Sequence, residues 1–458
     1  MADSNKQTRR IERVSYSSYF IGQNIFYMLI TSFIALFLLN KGIDEATTAI
    51  ILLVPRIWDA INDPIFGIIV DKAKLKGGKF LPWLKLSWIL IPIFTIFIFC
   101  MPDSLSYGWK IAWATIGYVM WSMSYTVCDA PIFALPTAMT SDVEERTVIL
   151  STGRLVATIT SVVVTLVVEA IYIDIGWPLV AIVSSIIAMI TMLPILFKGK
   201  ERVVPVNEKP ATIGQMVKLI FKNKYLLIFL IAYLLIGSTM SVETLIPIFA
   251  EYVLGDTDAG TILLGICIIP MIVIAVIVPM LSKKIDKMKL FIASLIIYAS
   301  ASILQFFLGY SNPVLLYIGT FLRAIGYGGY SILLFLFIPN IMEYGHYKTG
   351  ERQEGVYFAL QTFMTKLTGA IVSSLSLVLL AWFGFKSQEA DPVTHLVSSA
   401  AGQGFFNVFT WVSAIGSILA IPLLIFLYKL SDKQADIIAQ CNSGKISKDE
   451  CEEKLKLL

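Results

Sequence analysis

The sequence predicts an all-α membrane protein, with twelve transmembrane helices in two six-helix halves. Three observations carry that expectation. Of the 458 residues, 57% are hydrophobic and only 15% are charged, and the mean hydropathy is +0.77, too apolar a balance for a chain that folds in water. Apolar runs of about 20 residues, enough to cross about 30 Å of hydrocarbon, recur along the whole length. Lys and Arg gather in every second loop, as they do in cytoplasmic loops of membrane proteins.

In chain order the runs fall near residues 14–40, 46–70, 81–101, 109–135, 148–172 and 176–197, then 226–253, 260–282, 290–310, 313–341, 355–384 and 405–428. The first follows Arg9, Arg10 and Arg13. It is longer than the apolar core of a signal peptide and is not followed by a small-residue cleavage site, so it is expected to stay in the protein. With the N-terminus inside, 28 of the 36 Lys and Arg fall in cytoplasmic segments, three (Lys41, Lys110, Lys386) in outer loops and five within spans. An even number of crossings with both termini cytoplasmic follows, in the cytoplasmic membrane. The net charge of +4 then reports topology and gives no reason to expect a nucleic-acid partner. The expected partners are a small solute, a monovalent cation and membrane lipid, with the chain acting as a monomer. Of five cysteines, Cys100, Cys128 and Cys267 lie in spans and Cys441 and Cys451 in the tail, at spacings that suggest neither a disulfide framework nor a zinc site.

The longest internal polar stretch, residues 198–225 with Pro205 and Pro210, separates six spans from six. The expected organisation is a bundle over 1–197, a cytoplasmic middle loop over 198–225, a second bundle over 226–430 and a cytoplasmic tail over 431–458. The halves echo each other. Asp71-Lys72-Ala73-Lys74 follows span two, and Ser282-Lys283-Lys284-Ile285-Asp286-Lys287 follows span eight. Six-helix repeats are the pattern of the major facilitator fold, whose halves rock about a site at the bilayer midplane. The loop running from Gly67-x-x-x-Asp71-Lys72 to Gly78-Lys79 resembles that superfamily's signature between helices two and three.

Charges inside spans are costly and mark functional positions. Span two reads Pro55-Arg56-Ile57-Trp58-Asp59-Ala60-Ile61-Asn62-Asp63-Pro64. Helical spacing of three and four puts Arg56, Asp59 and Asn62 or Asp63 on one face. Two carboxylates a turn apart in low dielectric either share a proton or hold a cation. With the carbonyl of Asn62 and the hydroxyl of Thr126 they form an all-oxygen set suited to a hard cation such as sodium, candidate ligands being Asp59 and Asp63. A salt-bridged helix contact with Arg56 or Arg154 is the alternative. Asp59, Asp63 and Asp129 against Arg56 and Arg154 leave one net negative charge in the first half. Glu243, Arg323 and Lys366 leave one net positive charge in the second.

The run Arg56 to Pro64 resembles the helix-two motif of the glycoside-pentoside-hexuronide:cation symporter family, the melibiose permease-like carriers of the major facilitator superfamily. Gly78-Lys79-Phe80-x-Pro82-Trp83 and Tyr125-Thr126-x-x-Asp129-x-Pro131 are similar to other family motifs. So are Glu343-Tyr344-Gly345, Thr349-Gly350-x-Arg352-x-Glu354-Gly355 and Gln361-Thr362-x-x-x-Lys366. The resemblance extends from span one to span twelve. It implies cation-coupled symport of a sugar or glycoside, neutral or hexuronide, with Na+, H+ or Li+ as coupling ion, no cofactor and no enzymatic step. It places Asp59, Asn62, Asp63 and Thr126 at the cation, Asp129 and Arg154 on sugar hydroxyls, and Lys366, beside Thr362, between the two sites. Tyr125 either lines the sugar cavity or packs between helices.

Two departures from the family pattern bear on the substrate. Gln23-Asn24 stands where a Lys-Asp pair is expected after the helix-one glycine, and Phe133 stands where a Trp follows the helix-four motif. Glu243 and Arg323 belong to no family motif. Arg323 lies roughly 15 Å into span ten at 1.5 Å per residue, and a guanidinium fork suits a substrate carboxylate; the alternatives are that Glu243 pairs with Arg323 as a structural lock or binds sugar hydroxyls itself. Two rivals stay open: a cation-independent sugar facilitator or exchanger, and a lysolipid-type carrier on the same fold.

Overall fold

The structure is a computed structural model that describes residues 7–73, 75–203, 213–237, 241–282, 284–350, 354–391 and 393–457. Six helices form the first half: α1 (Arg10–Asn40), α2 (Glu45–Lys72), α3 (Leu81–Phe99), α4 (Tyr107–Met139), α5 (Val143–Ile175) and α6 (Trp177–Lys198). After α7 (Ile213–Lys222) come α8 (Lys224–Ile236), α9 (Ser241–Phe249), α10 (Thr257–Leu281) and α11 (Lys287–Leu308). The chain continues through α12 (Pro313–Leu336), α13 (Ile338–Thr349), α14 (Glu354–Trp382), α15 (Ser399–Asn407) and α16 (Ser413–Leu427), and ends in the short tail helices α17 (Asp432–Asn442) and α18 (Lys448–Lys456).

Among the described residues nine helices, counting α12 with α13 and α15 with α16 as single spans, are long and apolar enough to cross a membrane. The three expected spans that fall short do so for local reasons. Span two carries Arg56, Asp59 and Asp63, and span four carries polar residues along its length, both of which lower hydropathy without shortening α2 or α4. In the seventh, α8 and α9 flank residues 238–240, which lie outside the described residues. The protein is therefore an all-α bundle with twelve spans. The expected span 313–341 is also interrupted, at Phe337, because Pro339 sits in the first turn of α13 and cannot continue a preceding helix.

Helix starts follow their capping residues. Asp44 accepts from the Thr47 N–H at 2.9 Å at the head of α2, Asp286 from Met288 at 2.9 Å at the head of α11, and Asn312 from Val314 at 2.9 Å at the head of α12. Each supplies an acceptor to a backbone donor that has none within its helix. Lipid offers little hydrophobic drive between helices, so small residues set their approach. A Cβ on Gly22 would lie 2.4 Å from the Ala188 carbonyl of α6, and one on Gly153 would lie 2.7 Å from the Phe20 ring.

The chain divides into two compact units. The first is Met1–Lys209 with Pro247–Thr261 and Lys386–Val397; the second is Pro210–Ile246, Ile262–Phe385 and Ser398–Leu458. In the first, the start of the middle loop is a strap. Glu201 accepts from the backbone N–H groups of Lys79, Phe80 and Leu81 at 2.6, 2.9 and 2.8 Å, capping α3, while Arg202 pairs with Glu12 at 2.7 Å. In the second, Asp432 at the head of α17 accepts from Lys287 and Asn340, which ties the tail to α11 and α13.

Candidate functional site

Within the first unit, α1, α4 and α5 bring together residues far apart in sequence. Gln23, 2% exposed, donates from Nε2 to Asp129 Oδ1 at 3.1 Å. The amide that replaces the family's charged residue thus holds the very acid that the resemblance assigns to substrate. Asn24 turns away from that acid: its Nδ2 donates to the Phe20 carbonyl at 2.9 Å, and its Oδ1 accepts from Ser161 of α5 at 3.0 Å.

An aromatic wall runs beside these groups. Tyr125 stacks on Trp121 with ring centroids 4.9 Å apart and planes 17° apart, and Tyr27 lies 5.7 Å from Tyr125 on the other side. Trp121 is fixed by its indole N–H, which donates to Thr95 of α3 at 3.0 Å. Phe133 presents its face to the Arg154 guanidinium at 5.7 Å. Flat apolar rings beside directional polar groups are what a sugar needs, since its C–H face stacks while its hydroxyls bond. Tyr27, Trp121 and Ser161 were not singled out from the sequence. Tyr27 lies at i+4 from Gln23, and Trp121 and Tyr125 at i and i+4, so helical spacing held the signal.

Arg154 is exposed. It meets the Phe133 ring but no carboxylate among the described residues. Thr126 is buried at 5% exposure and Asn62 is half-buried. Arg56 donates from Nε to the Tyr118 hydroxyl at 3.5 Å. The side chains of Asp59, Asp63, Glu243, Thr362 and Lys366 lie outside the described residues.

Arg323 departs from the expected role. It belongs to the second unit, is 3% exposed, and donates to Gln305 Oε1 at 2.8 Å, the Tyr298 hydroxyl at 3.1 Å, the Phe409 carbonyl at 3.0 Å and Ser413 Oγ at 2.9 Å. Its guanidinium also lies 4.6 Å from the Phe409 ring. Among the described residues, the fork that the sequence offered to a substrate carboxylate is committed to neutral partners on α11 and around the start of α16. Those partners lie 18 to 90 positions away, beyond the reach of helical spacing.

Two acids, one buried and one half-buried, were also passed over, because they sit near span ends where charges ordinarily reach water. Glu169 of α5 is 1% exposed, and Glu251, in the π-helical turn Ala250–Leu254, accepts from Tyr172 at 2.7 Å.

Comparison with known proteins bears on this geometry. The family model described as MFS/sugar transport protein matches residues 15–432. An uncharacterized symporter of Bacillus subtilis strain 168, YjmB, is 28% identical, covering 96% of each chain. An isoprimeverose transporter of Lactiplantibacillus pentosus is 26% identical over 93% of this chain and 90% of its own. A glucuronide carrier protein homolog of Escherichia coli K12 is 24% identical over 90% and 92%. Among solved structures, the nucleoside transporter NupG superimposes with a TM-score of 0.64 at 15% identity, covering 92% of this chain and all of that one, which is a likeness of fold.

Proposed function

Because this chain belongs to the MFS/sugar transport protein family, and is a multi-pass transporter and not an enzyme, we propose that it carries a sugar or glycoside by cation-coupled symport with alternating access. The observation that supports this best is the Gln23–Asp129 pair beside the Tyr27–Tyr125–Trp121 wall. Polar groups aimed at hydroxyls and flat rings for a pyranose face occur together in an otherwise apolar bundle. A lysolipid carrier has no use for that arrangement.

In this reading Gln23, Asp129, Arg154, Tyr125 and Phe133 bind substrate, with Asn24 holding α1 to α5, and Thr362, Lys366 and Glu243 contribute from the second half. Asp59, Asn62, Asp63 and Thr126 form the cation site, for Na+, H+ or Li+. Two carboxylates one turn apart serve no purpose in a facilitator. A bound cation removes their repulsion, and substrate and cation then favour each other's binding reciprocally. The carrier works as a monomer in the cytoplasmic membrane with both termini inside.

A second reading, that the substrate is an acidic sugar, has its own support. Arg154 has no acid partner among the described residues, and Asp129 is already held by Gln23. A substrate carboxylate on Arg154 would supply the missing counter-charge.

The test is counterflow in proteoliposomes with matched glycosides, pentosides and uronides, with and without sodium, in wild type and Asp63→Asn. The variant should lose cation-driven accumulation and keep exchange. Accumulation against a gradient with unaltered cation dependence in Asp63→Asn would remove the cation site from Asp63. Uptake indifferent to every cation in wild type would make the protein a facilitator.

A further inference from the structure

At the end of the first unit farthest from the N-terminus, Pro247–Thr261 and Lys386–Val397 form a cap on the tips of α1, α2 and α5. The seam between cap and tips is polar. Tyr172 donates to Glu251 Oε2 at 2.7 Å, and Asn40 donates to Glu251 Oε1 at 2.8 Å and to the Tyr252 hydroxyl at 3.1 Å. The Ser387 N–H donates to Glu45 at 2.6 Å, and Gln388 donates to the Gly42 carbonyl at 2.9 Å.

Besides the Ser387 hydroxyl, which is buried without a partner, Glu169 stands apart as an acid. It lies one turn before Tyr172 on the same helix, is 1% exposed, and neither of its carboxyl oxygens has a hydrogen-bond partner among the described residues. It packs under Gly260 of the cap, where a Cβ would stand 2.4 Å from Glu169 Oε1 and 2.7 Å from the Ala250 Cβ. The charged group that faces it is a second acid, Glu251. Glu251 in turn meets Tyr172, Asn40 and His395, and Tyr252 meets Glu45. No Lys or Arg among the described residues is directed at Glu169.

A charged carboxylate buried without a protein donor is strongly disfavoured in such a place, and a neighbouring carboxylate adds repulsion. Both penalties vanish if the group carries a proton, or if the cap lifts and water reaches it. We propose that Glu169 is a proton-binding site of the cap: it takes a proton from the water on the cap's side as the cap seats, and returns it there when the cap lifts. Closure at this end is then linked to proton concentration on that side, the outer side by the distribution of Lys and Arg. Substrate and driving ion do not enter the linkage, so it stands or falls separately from the symport reading.

Ser387→Cys, at a position of the cap that is 8% exposed where it meets Glu45 across the seam, gives a reporter in a background with the five native cysteines replaced. The measurement is its rate of modification by a membrane-impermeant maleimide in right-side-out vesicles, from mildly acidic to mildly basic buffer, with Glu169 intact and in E169Q. The thiol's own titration is common to both and cancels in their ratio. With Glu169 present, modification should rise several-fold more steeply with pH than in E169Q, whose neutral amide mimics the protonated acid. Glu169→Met, apolar and uncharged, should follow E169Q and stands in for it if the amide is not tolerated. Equal pH profiles with and without Glu169 would overturn the proposal.

Discussion

A buried guanidinium does not need a counter-ion if enough neutral acceptors converge on it. Arg323 spends donors on Gln305, Tyr298, Phe409 and Ser413, and the Tyr298 and Phe409 rings take up part of its charge at 5.5 and 4.6 Å. The Phe409 carbonyl belongs to the π-helical turn Val408–Val412, so the arginine fastens a helix irregularity that lipid would not tolerate unsatisfied. Arg154 is the opposite case, exposed and in contact with one ring. The two should therefore respond differently to the same change. Arg323→Gln strands buried acceptors and should cost about 2 to 3 kcal/mol, seen as a lower midpoint of thermal unfolding in detergent, with glycoside and uronide preference intact. Arg154→Gln should leave stability within about 0.5 kcal/mol but lower affinity for a uronide, relative to its glycoside, about tenfold, or 1.4 kcal/mol. Competition binding with both sugars on both variants measures the contrast. A uronide preference that collapsed in Arg323→Gln instead would return that residue to the substrate site.

At the scale of helices, the N-terminus of α1 is moored to α5 by one carboxylate. Glu145 accepts from the Gln7 and Thr8 N–H groups at 3.2 and 3.1 Å, from Thr140 Oγ1 at 2.8 Å and from the Thr8 hydroxyl. Burial alone would raise this carboxyl, but the hydroxyl and backbone donors outweigh it and hold it below the ordinary glutamate value. A depressed folded-state value stabilises the mooring above the unfolded-state value, and that stabilisation is lost as pH falls through the folded one. The protection factors of the Gln7 and Thr8 amides, corrected for the intrinsic pH dependence of exchange, should thus fall on acidification below the ordinary glutamate range, and in Glu145→Gln they should be low at every pH. Protection factors that stay constant across that range would refute the linkage. The sequence showed where helices lie but not where they break. Spans two and four were read as apolar runs with the other ten although their polar residues keep them below the hydropathy of the nine clear spans, whereas the interruption of span ten at Phe337 was not read from its apolar run. The site was legible where its members share a helix, as Tyr125, Asp129 and Phe133 do. The Gln23–Asp129 bond spans 106 positions and needed the fold.

For the molecule as a whole, the distribution of Lys and Arg makes a statement about sidedness. Native Cys441, in α17 of the tail, should react with an impermeant thiol reagent only in inverted vesicles, and a cysteine replacing Lys386 only in right-side-out ones. Reaction of both from the same side would break the even count of crossings. The strap at Glu201 has a consequence in time as well as in space. A nascent chain emerges from the ribosome at about 5 to 20 residues per second, and Glu201 lies 120 positions after Leu81, whose N–H it accepts. The head of α3 therefore waits roughly 6 to 24 s for its cap, until α6 has been synthesised. A ribosome that stalled between Lys198 and Glu201 would leave six helices made and one of them unfinished at its first turn, with the Lys79, Phe80 and Leu81 amides lacking the acceptor that Glu201 supplies.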